Sequence, residues 1–137
     1  MSAYRYRHVV PFDETNLVGN VYFAHYLHWQ GHCRERFLAD HAPGVLKSVA
    51  AGELALVTVS CSMEYFAECY ALDAIEVEMT LGGQAGNRVD MGFRFRRGDV
   101  VVAAGRQTVA CMQRTGDRMR PVPVPDELVA ALAAFAG

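Results

Sequence analysis

Lysine is nearly absent from this chain: Lys47 is the only one among 13 Lys and Arg residues. The arginines form no long basic run and the formal net charge is −2, so nucleic acid is a poor fit as a partner. No run of about 18 apolar residues occurs, and a membrane-spanning helix is not expected. The chain opens Met1-Ser2-Ala3-Tyr4-Arg5-Tyr6-Arg7-His8, without the apolar stretch and small-residue cleavage site of a secretory leader, so a cytoplasmic protein is expected. The four cysteines, Cys33, Cys61, Cys69 and Cys111, include no CxxC pair and read as reduced, half-buried thiols. No GxSxG is present, which argues against an α/β-hydrolase. Gly82, Gly83 and Gly86 make no GxGxxG opening a helix, which argues against a nucleotide site.

What is present reads as one domain, residues 1–137, with 121–137 as a proline-rich connector and a short C-terminal helix capped by Asp126. Apolar residues make up 52% and charged residues 20%, enough for a packed core. Residues 4–11 alternate as a first strand. Helical periodicity then runs from about Asn20 to Ala39, until Pro43-Gly44 stops it. Two adjacent stripes mark that helix as surrounded over much of its circumference: Tyr22, Tyr26, Trp29, Cys33, Phe37, and Phe23, Leu27, Gln30, Arg34, Leu38. Period-2 runs at 57–65, 75–81 and 89–96 predict antiparallel strands, with short hairpins at 82–87 and 97–99. A last strand runs from Val100 to about Gln113, with Gly105 a bulge or close-approach point. One long apolar helix followed by a four-stranded meander predicts an α+β hotdog arrangement, an antiparallel sheet wrapped round a central helix. An unpaired edge strand would then be covered by homo-oligomerisation.

Residues 12–23, Phe-Asp-Glu-Thr-Asn-Leu-Val-Gly-Asn-Val-Tyr-Phe, place polar side chains and a glycine turn just before the helix. A helix start collects free backbone N–H groups and the positive end of the dipole, which suits a developing oxyanion. Asn16 can hydrogen-bond a carbonyl, an enol or a water, or simply form an Asx turn. Arg34 sits on an otherwise apolar stripe and needs either a bound group or an ion pair with Glu64, Glu68 or Glu35. Tyr26 offers a hydroxyl to the site or is a core aromatic. His25, His28 and His32 recur at helical spacing but have no convincing carboxylate or cysteine partner, so they read as a solvated or subunit-facing side. No metal and no cofactor are expected.

Residues 15–23 with Tyr26, and the later Met63-Glu64-Tyr65-Phe66-Ala67-Glu68-Cys69, resemble the hotdog acyl-thioesterases of the 4-hydroxybenzoyl-CoA thioesterase type. In that pattern an aspartate stands at the place of Asn16. Glu14 to Phe23 together with Trp29-Gln30-Gly31-His32-Cys33-Arg34-Glu35 is similar to the thioesterases of enediyne biosynthesis, which share this departure. The resemblance implies hydrolysis of a β-ketoacyl polyene held on the acyl carrier protein domain of an iterative polyketide synthase. The β-keto acid released then decarboxylates to a methyl ketone. It also implies a homo-oligomer, dimer or tetramer. Asn16, Arg34 and the backbone N–H of Phe23 are then the catalytic groups, with Tyr26, Glu64, Tyr22 and Gly19 binding substrate and Glu64 supporting Arg34. A long tunnel would be lined from Tyr22, Trp29, Phe66, Met63 and Met91, each of which also suits an ordinary core. General acyl- or aroyl-CoA hydrolysis, and polyene binding without turnover, are the competing readings.

Overall fold

The computed structural model describes residues 3–136. The order is β1 (Tyr4–Val9), a 3-10 turn at Phe12–Glu14, α1 (His25–His41), α2 (Pro43–Ala50), β2 (Leu54–Tyr65), β3 (Ala74–Ala85), β4 (Arg88–Arg97), β5 (Val100–Thr115), β6 (Arg118–Pro121) and α3 (Asp126–Ala133). The strands form one antiparallel sheet in the order β1-β3-β4-β5-β2, with β6 paired to the end of β5. This is the expected α+β hotdog arrangement. Only β3 to β5 form a meander, however. The strand β2 joins the outer side of β5 instead of pairing with β3, and so becomes an edge.

Alternation sorts each strand into two faces. Val77, Met79, Met91, Phe93, Phe95 and Val109 are buried on the face that meets Tyr26, Trp29, Cys33 and Phe37 of α1. Aromatic edges lock the layers together: the Phe95 ring lies 5.9 Å from Tyr26 and 6.4 Å from Trp29. The other side of α1, with His28, His32, Glu35 and Arg36, is exposed. The opposite face of the sheet is charged, with Glu78 holding Arg96 at 2.8 Å and Arg5 at 3.3 Å. These guanidinium contacts keep the Glu78 carboxyl below the usual carboxylate range against the opposing effect of burial. No helix is long and apolar enough to cross a membrane.

Several boundaries differ from the sequence expectation, each for a physical reason. The helix starts at His25, not Asn20, because Asn20 and Val21 are drawn into extended pairing with Tyr70 and Thr15. Pro43 does not merely stop α1. It opens α2, a first-turn position where its missing N–H costs nothing. The N–H groups of Gly44 and Val45 are taken by the Glu127 carboxylate of α3, at 3.2 and 2.7 Å. Asp126 is thus the first residue of α3 and caps nothing with its side chain, while its neighbour caps another helix. Gly82 and Gly83 lie within β3 at a bulge, and the turn itself is at Gly86-Asn87, where Gly86 has a positive φ. The connector after β5 includes the short strand β6.

Gly105 is a close-approach point and not a bulge: it pairs in register with both Met63 and Phe93. A Cβ there would overlap Gln30 Oε1 and come within 2.8 Å of Met63 Cε. Gly105→Ala should therefore cost about 1–3 kcal/mol through overpacking, read as a lowered midpoint in urea unfolding. An unchanged midpoint would mean that α1 stands further from β5 than described.

Candidate active site

The polar segment before α1 is a small hairpin folded back on itself. Tyr22 N donates to Glu14 O at 3.1 Å, Thr15 pairs with Val21, and Asn16 N donates to Asn20 O at 2.7 Å. Gly19, at φ +98°, closes the turn by donating to Asn16 O at 2.9 Å, a conformation open to glycine at little cost. Val21 N to Cys69 O at 2.8 Å ties the hairpin to the loop after β2.

Glu14 anchors this hairpin to the fold. Its carboxylate accepts from the Trp29 indole at 3.0 Å and meets His8 Nε2 at 2.7 Å, so one side chain joins the loop, α1 and β1. Its main chain was part of the opening motif, but nothing in the spacing assigned it this role.

The orientation of Asn16 follows from a relay. Glu68 can only accept, so Asn20 turns its NH2 toward Glu68 Oε2 and its oxygen toward Asn16. Asn16 must then donate its own NH2, at 3.1 Å. Asn16 Oδ1 is left without a partner among the described residues. The amide therefore offers an acceptor to the site, suited to orienting a water proton.

The turn just before α1 supplies the donors. The N–H groups of Phe23 and Ala24 make no hydrogen bond among the described residues, whereas those of Val21, Tyr22 and His25 are used. Phe23 is thus in the turn preceding the helix, with its side chain exposed and its carbonyl held by the Tyr65 hydroxyl at 2.9 Å. Tyr22 is also exposed at this mouth. Tyr26 is buried with its hydroxyl beside the Cys69 thiol. Burial, then that neighbour, raises its pKa above the usual tyrosine range, and its ring packs as a core aromatic against Trp29 and Phe95.

Arg34 turns inward, but to an amide. Its Nη1 donates to Gln107 Oε1 at 3.0 Å, and no carboxylate bonds it among the described residues. Burial lowers its pKa, with Glu35 opposing, yet an arginine stays charged at neutral pH. Its Nε is buried without a partner, as are both amide atoms of Gln30 one turn earlier. Glu64 does not support it. Met63 pairs with Gly105, which faces α1, so Glu64 points from the opposite face of the edge strand β2 and is exposed. Gln107 was overlooked in the sequence, although it occupies an inward position between Gly105 and Val109 where an apolar residue is the norm. Cys33 is not a nucleophile, since burial pushes its thiol up to about 12.

Asn16, in the hairpin, and Phe23, in the turn that follows it, both precede α1, whereas Arg34 lies three turns along that helix, roughly 16 Å from Phe23. No hydrogen bond joins the two places within one chain. The enclosed space beside Arg34, with Met91 in its wall, is only about 10 Å³, room for one water and not a long tunnel. Of the other tunnel candidates, Trp29 is core, Met63 is half-buried and Phe66 is exposed. Glu14→Ala would strand the indole N–H and free the hairpin. We expect a loss of about 1–3 kcal/mol in unfolding free energy with shifted Trp29 emission, and unaltered emission would remove Glu14 from this role.

The geometry can be set beside known proteins. Residues 10–132 match the family model of the thioesterase-like superfamily. The chain superposes on the dynemicin thioesterase, studied for induced-fit and allosteric effects on polyene binding, with a TM-score of 0.95 and 57% identity over 98% of each chain. It is 26% identical over 127 residues to a 1,4-dihydroxy-2-naphthoyl-CoA hydrolase of Synechococcus elongatus, covering 90% of this chain and 91% of the other. A 1,4-dihydroxy-2-naphthoyl-CoA thioesterase from Synechocystis shares the fold at a TM-score of 0.86 and 20% identity, over 96% of each chain. The free acceptor of Asn16 and the free N–H groups before α1 are thus set in a chain that belongs to the thioesterase-like hotdog superfamily, alongside the dynemicin thioesterase.

Proposed function

We propose that this thioesterase hydrolyses a β-ketoacyl polyene carried by the acyl carrier protein domain of an iterative enediyne polyketide synthase. Water adds its oxygen to the thioester carbon, the C–S bond breaks, and the displaced proton ends on the carrier thiol. The β-keto acid released loses CO2 to leave a methyl ketone. The observation that carries this reading is that one short segment holds both an unused acceptor, Asn16 Oδ1, and unused donors, the N–H groups of Phe23 and Ala24. Such a site orients water and stabilises the oxyanion without a covalent step. An activated substrate compensates for the missing base, and a β-keto group supplies that activation. The similarity to a polyene-binding thioesterase supports the same substrate class.

A second copy would complete the site. The strand β2 is an exposed edge, with Val57 39%, Val59 44% and Tyr65 43% accessible. Two-fold pairing of β2 with itself is antiparallel and sets the Tyr65 end of one strand against the Leu54 end of the other. Each helix mouth would then approach the partner's Arg34. This geometry supports a dimer as the smallest active unit, and a tetramer formed from two such dimers.

Hydrolysis of an aroyl-CoA is the second reading, favoured by the naphthoyl-CoA hydrolases among the relatives. A β-ketoacyl-carrier-protein substrate and the matching CoA ester, assayed side by side, separate the two. We expect higher kcat/KM on the carrier protein, and preference for CoA would favour the alternative. Binding of a polyene with no turnover of either would leave only a binding module. Arg34→Ala should lower kcat by roughly 10²–10³-fold, and wild-type turnover would exclude it from catalysis. Asn16→Asp should lose activity as well, since a carboxylate only accepts, and Asn20 would have to turn its NH2 away from Glu68 to meet it. A gain would mark Asn16 as a degraded base. For the composite site, mixing the inactive Arg34→Ala and Asn16→Asp proteins after unfolding and refolding should restore activity, because each mixed dimer regains one intact site. No recovery would place both residues in one chain.

A further inference from the structure

We propose that Tyr65 is a positioning residue for the hydrolysis proposed above. Its hydroxyl, reaching from the end of β2, fixes the Phe23–Ala24 peptide so that the Ala24 N–H is aimed out of the helix mouth to receive the oxygen of the tetrahedral adduct. The role rests on the thioesterase reading and names the side chain that aims one of its donors.

Three observations converge. The first is covalent. A peptide unit is planar and trans, so its C=O and N–H point in opposite directions, and whatever holds the carbonyl also sets the line of the N–H. Phe23 O accepts from the Tyr65 hydroxyl at 2.9 Å and from Tyr26 N, in the first turn of α1, at 3.3 Å. The carbonyl thus points along α1, and the Ala24 N–H, unbonded among the described residues, points back out of its N-terminal end. The neighbouring donor, Phe23 N–H, is tied more locally: the carbonyl of its peptide, Tyr22 O, accepts from His25 N at 3.0 Å within the same turn.

Second, the phenol is itself placed. Tyr65 lies two residues after Met63, on the face of β2 that meets α1. Its ring stands edge-on to Tyr26 at 5.0 Å and to Phe23 at 6.4 Å. The strand end is clamped to β5: Tyr65 pairs with Ala103, and the N–H groups of Phe66 and Ala67 both donate to Val102 O, at 2.8 and 3.2 Å. Burial raises the Tyr65 pKa above the usual tyrosine value, so the hydroxyl keeps its proton and donates at neutral pH. Third, a carbonyl that accepts a hydrogen bond draws electron density from its amide nitrogen and strengthens the N–H as a donor, by about 10–30% per bond. Ala24 N–H gains from two such bonds, and it stands at the positive end of the helix dipole.

Tyr65→Phe removes the hydroxyl and keeps the ring. We expect kcat on the β-ketoacyl thioester to fall about tenfold through misalignment of the donor, with KM little changed. A tyrosine that merely supported the fold would lower the melting temperature and leave kcat alone. With 13C in phenylalanine carbonyls and 15N in alanine amides, the Phe23–Ala24, Phe66–Ala67 and Phe135–Ala136 peptides give correlations, and the first is the one lost in Phe23→Leu. Its carbonyl signal should move upfield in Tyr65→Phe. Octyl trifluoromethyl ketone, a gem-diol in water and so a stand-in for the tetrahedral adduct, is the binding probe. It should move the Ala24 amide proton downfield in the wild-type protein, and by less in Tyr65→Phe.

Wild-type kcat in Tyr65→Phe would reduce the contact to packing and overturn the inference. A Phe23 carbonyl signal that does not move, or an Ala24 proton that ignores the probe, would do the same. None of these outcomes touches hydrolysis by the wild-type protein. Conversely, a wild-type protein whose Ala24 proton answers the probe in a Tyr65-dependent way, and which hydrolyses no β-ketoacyl thioester, would keep the aimed donor and sink the proposed reaction.

Discussion

A guanidinium facing the inside of a sheet needs hydrogen bonds to offset its lost hydration, and the choice of partner decides what else it can do. In this fold α1 packs most closely on β1 and β3, and Arg34 extends from it to β5, as does Gln30, whose oxygen fits where Gly105 has no side chain. At that depth the inward position available to receive it is Gln107, and an amide leaves the charge standing. A carboxylate there would give a quieter core and an inert one. The same contact explains why Gln30 is tolerated unbonded: the helix is placed by Trp29, Phe37 and their aromatic neighbours, whose burial contributes far more than one unsatisfied amide withdraws.

The other end of α1 is governed by acceptors. Glu14 fixes the hairpin to Trp29 and His8, and Glu68 dictates, through Asn20, which face of the Asn16 amide points outward. Both carboxylates lie near the site, yet both are occupied by hydrogen bonds that define geometry. The hydrogen bonds of these two carboxylates thus hold the Asn16 amide with its oxygen unpaired among the described residues, close in sequence to the two unused turn N–H groups.

Much of this was legible in the sequence because it follows from periodicity. The apolar stripe Tyr26, Trp29, Cys33, Phe37 and the alternating inward sets of β3 and β4 are buried as their spacing requires. Gly105 was legible as a bulge or a close approach, and the in-register pairing with Met63 and Phe93 decides for the second. What stayed hidden depends on long-range pairing. Nothing local tells that β2 skips β3 and joins β5, so the expected support of Arg34 by Glu64 fails: Glu64 belongs to an edge strand and to the opposite face. The start of α2 at Pro43 was legible in principle, but proline reads equally as a stop and a first-turn residue. Gln107 was hidden because a polar residue in an alternating strand is read as solvent-facing until the register is known.

The register also bears on the dimer proposed above. Within a protomer Asn16 lies in the hairpin before α1 and Arg34 three turns along it, a span no change of rotamer covers. In the proposed dimer that separation would be removed by symmetry and not by motion. An antiparallel two-fold across β2 reverses the axis of the second helix, so the mouth of one and the mid-length of the other come to the same level. The apolar residues of β2, and Phe23, Phe66 and Tyr70 near the helix mouth, are exposed in the single chain. In the proposed dimer the edge strand, the unneutralised cation and the unpaired amide oxygen would be consequences of one arrangement, a site whose halves are built separately in each chain and meet when two chains share a sheet.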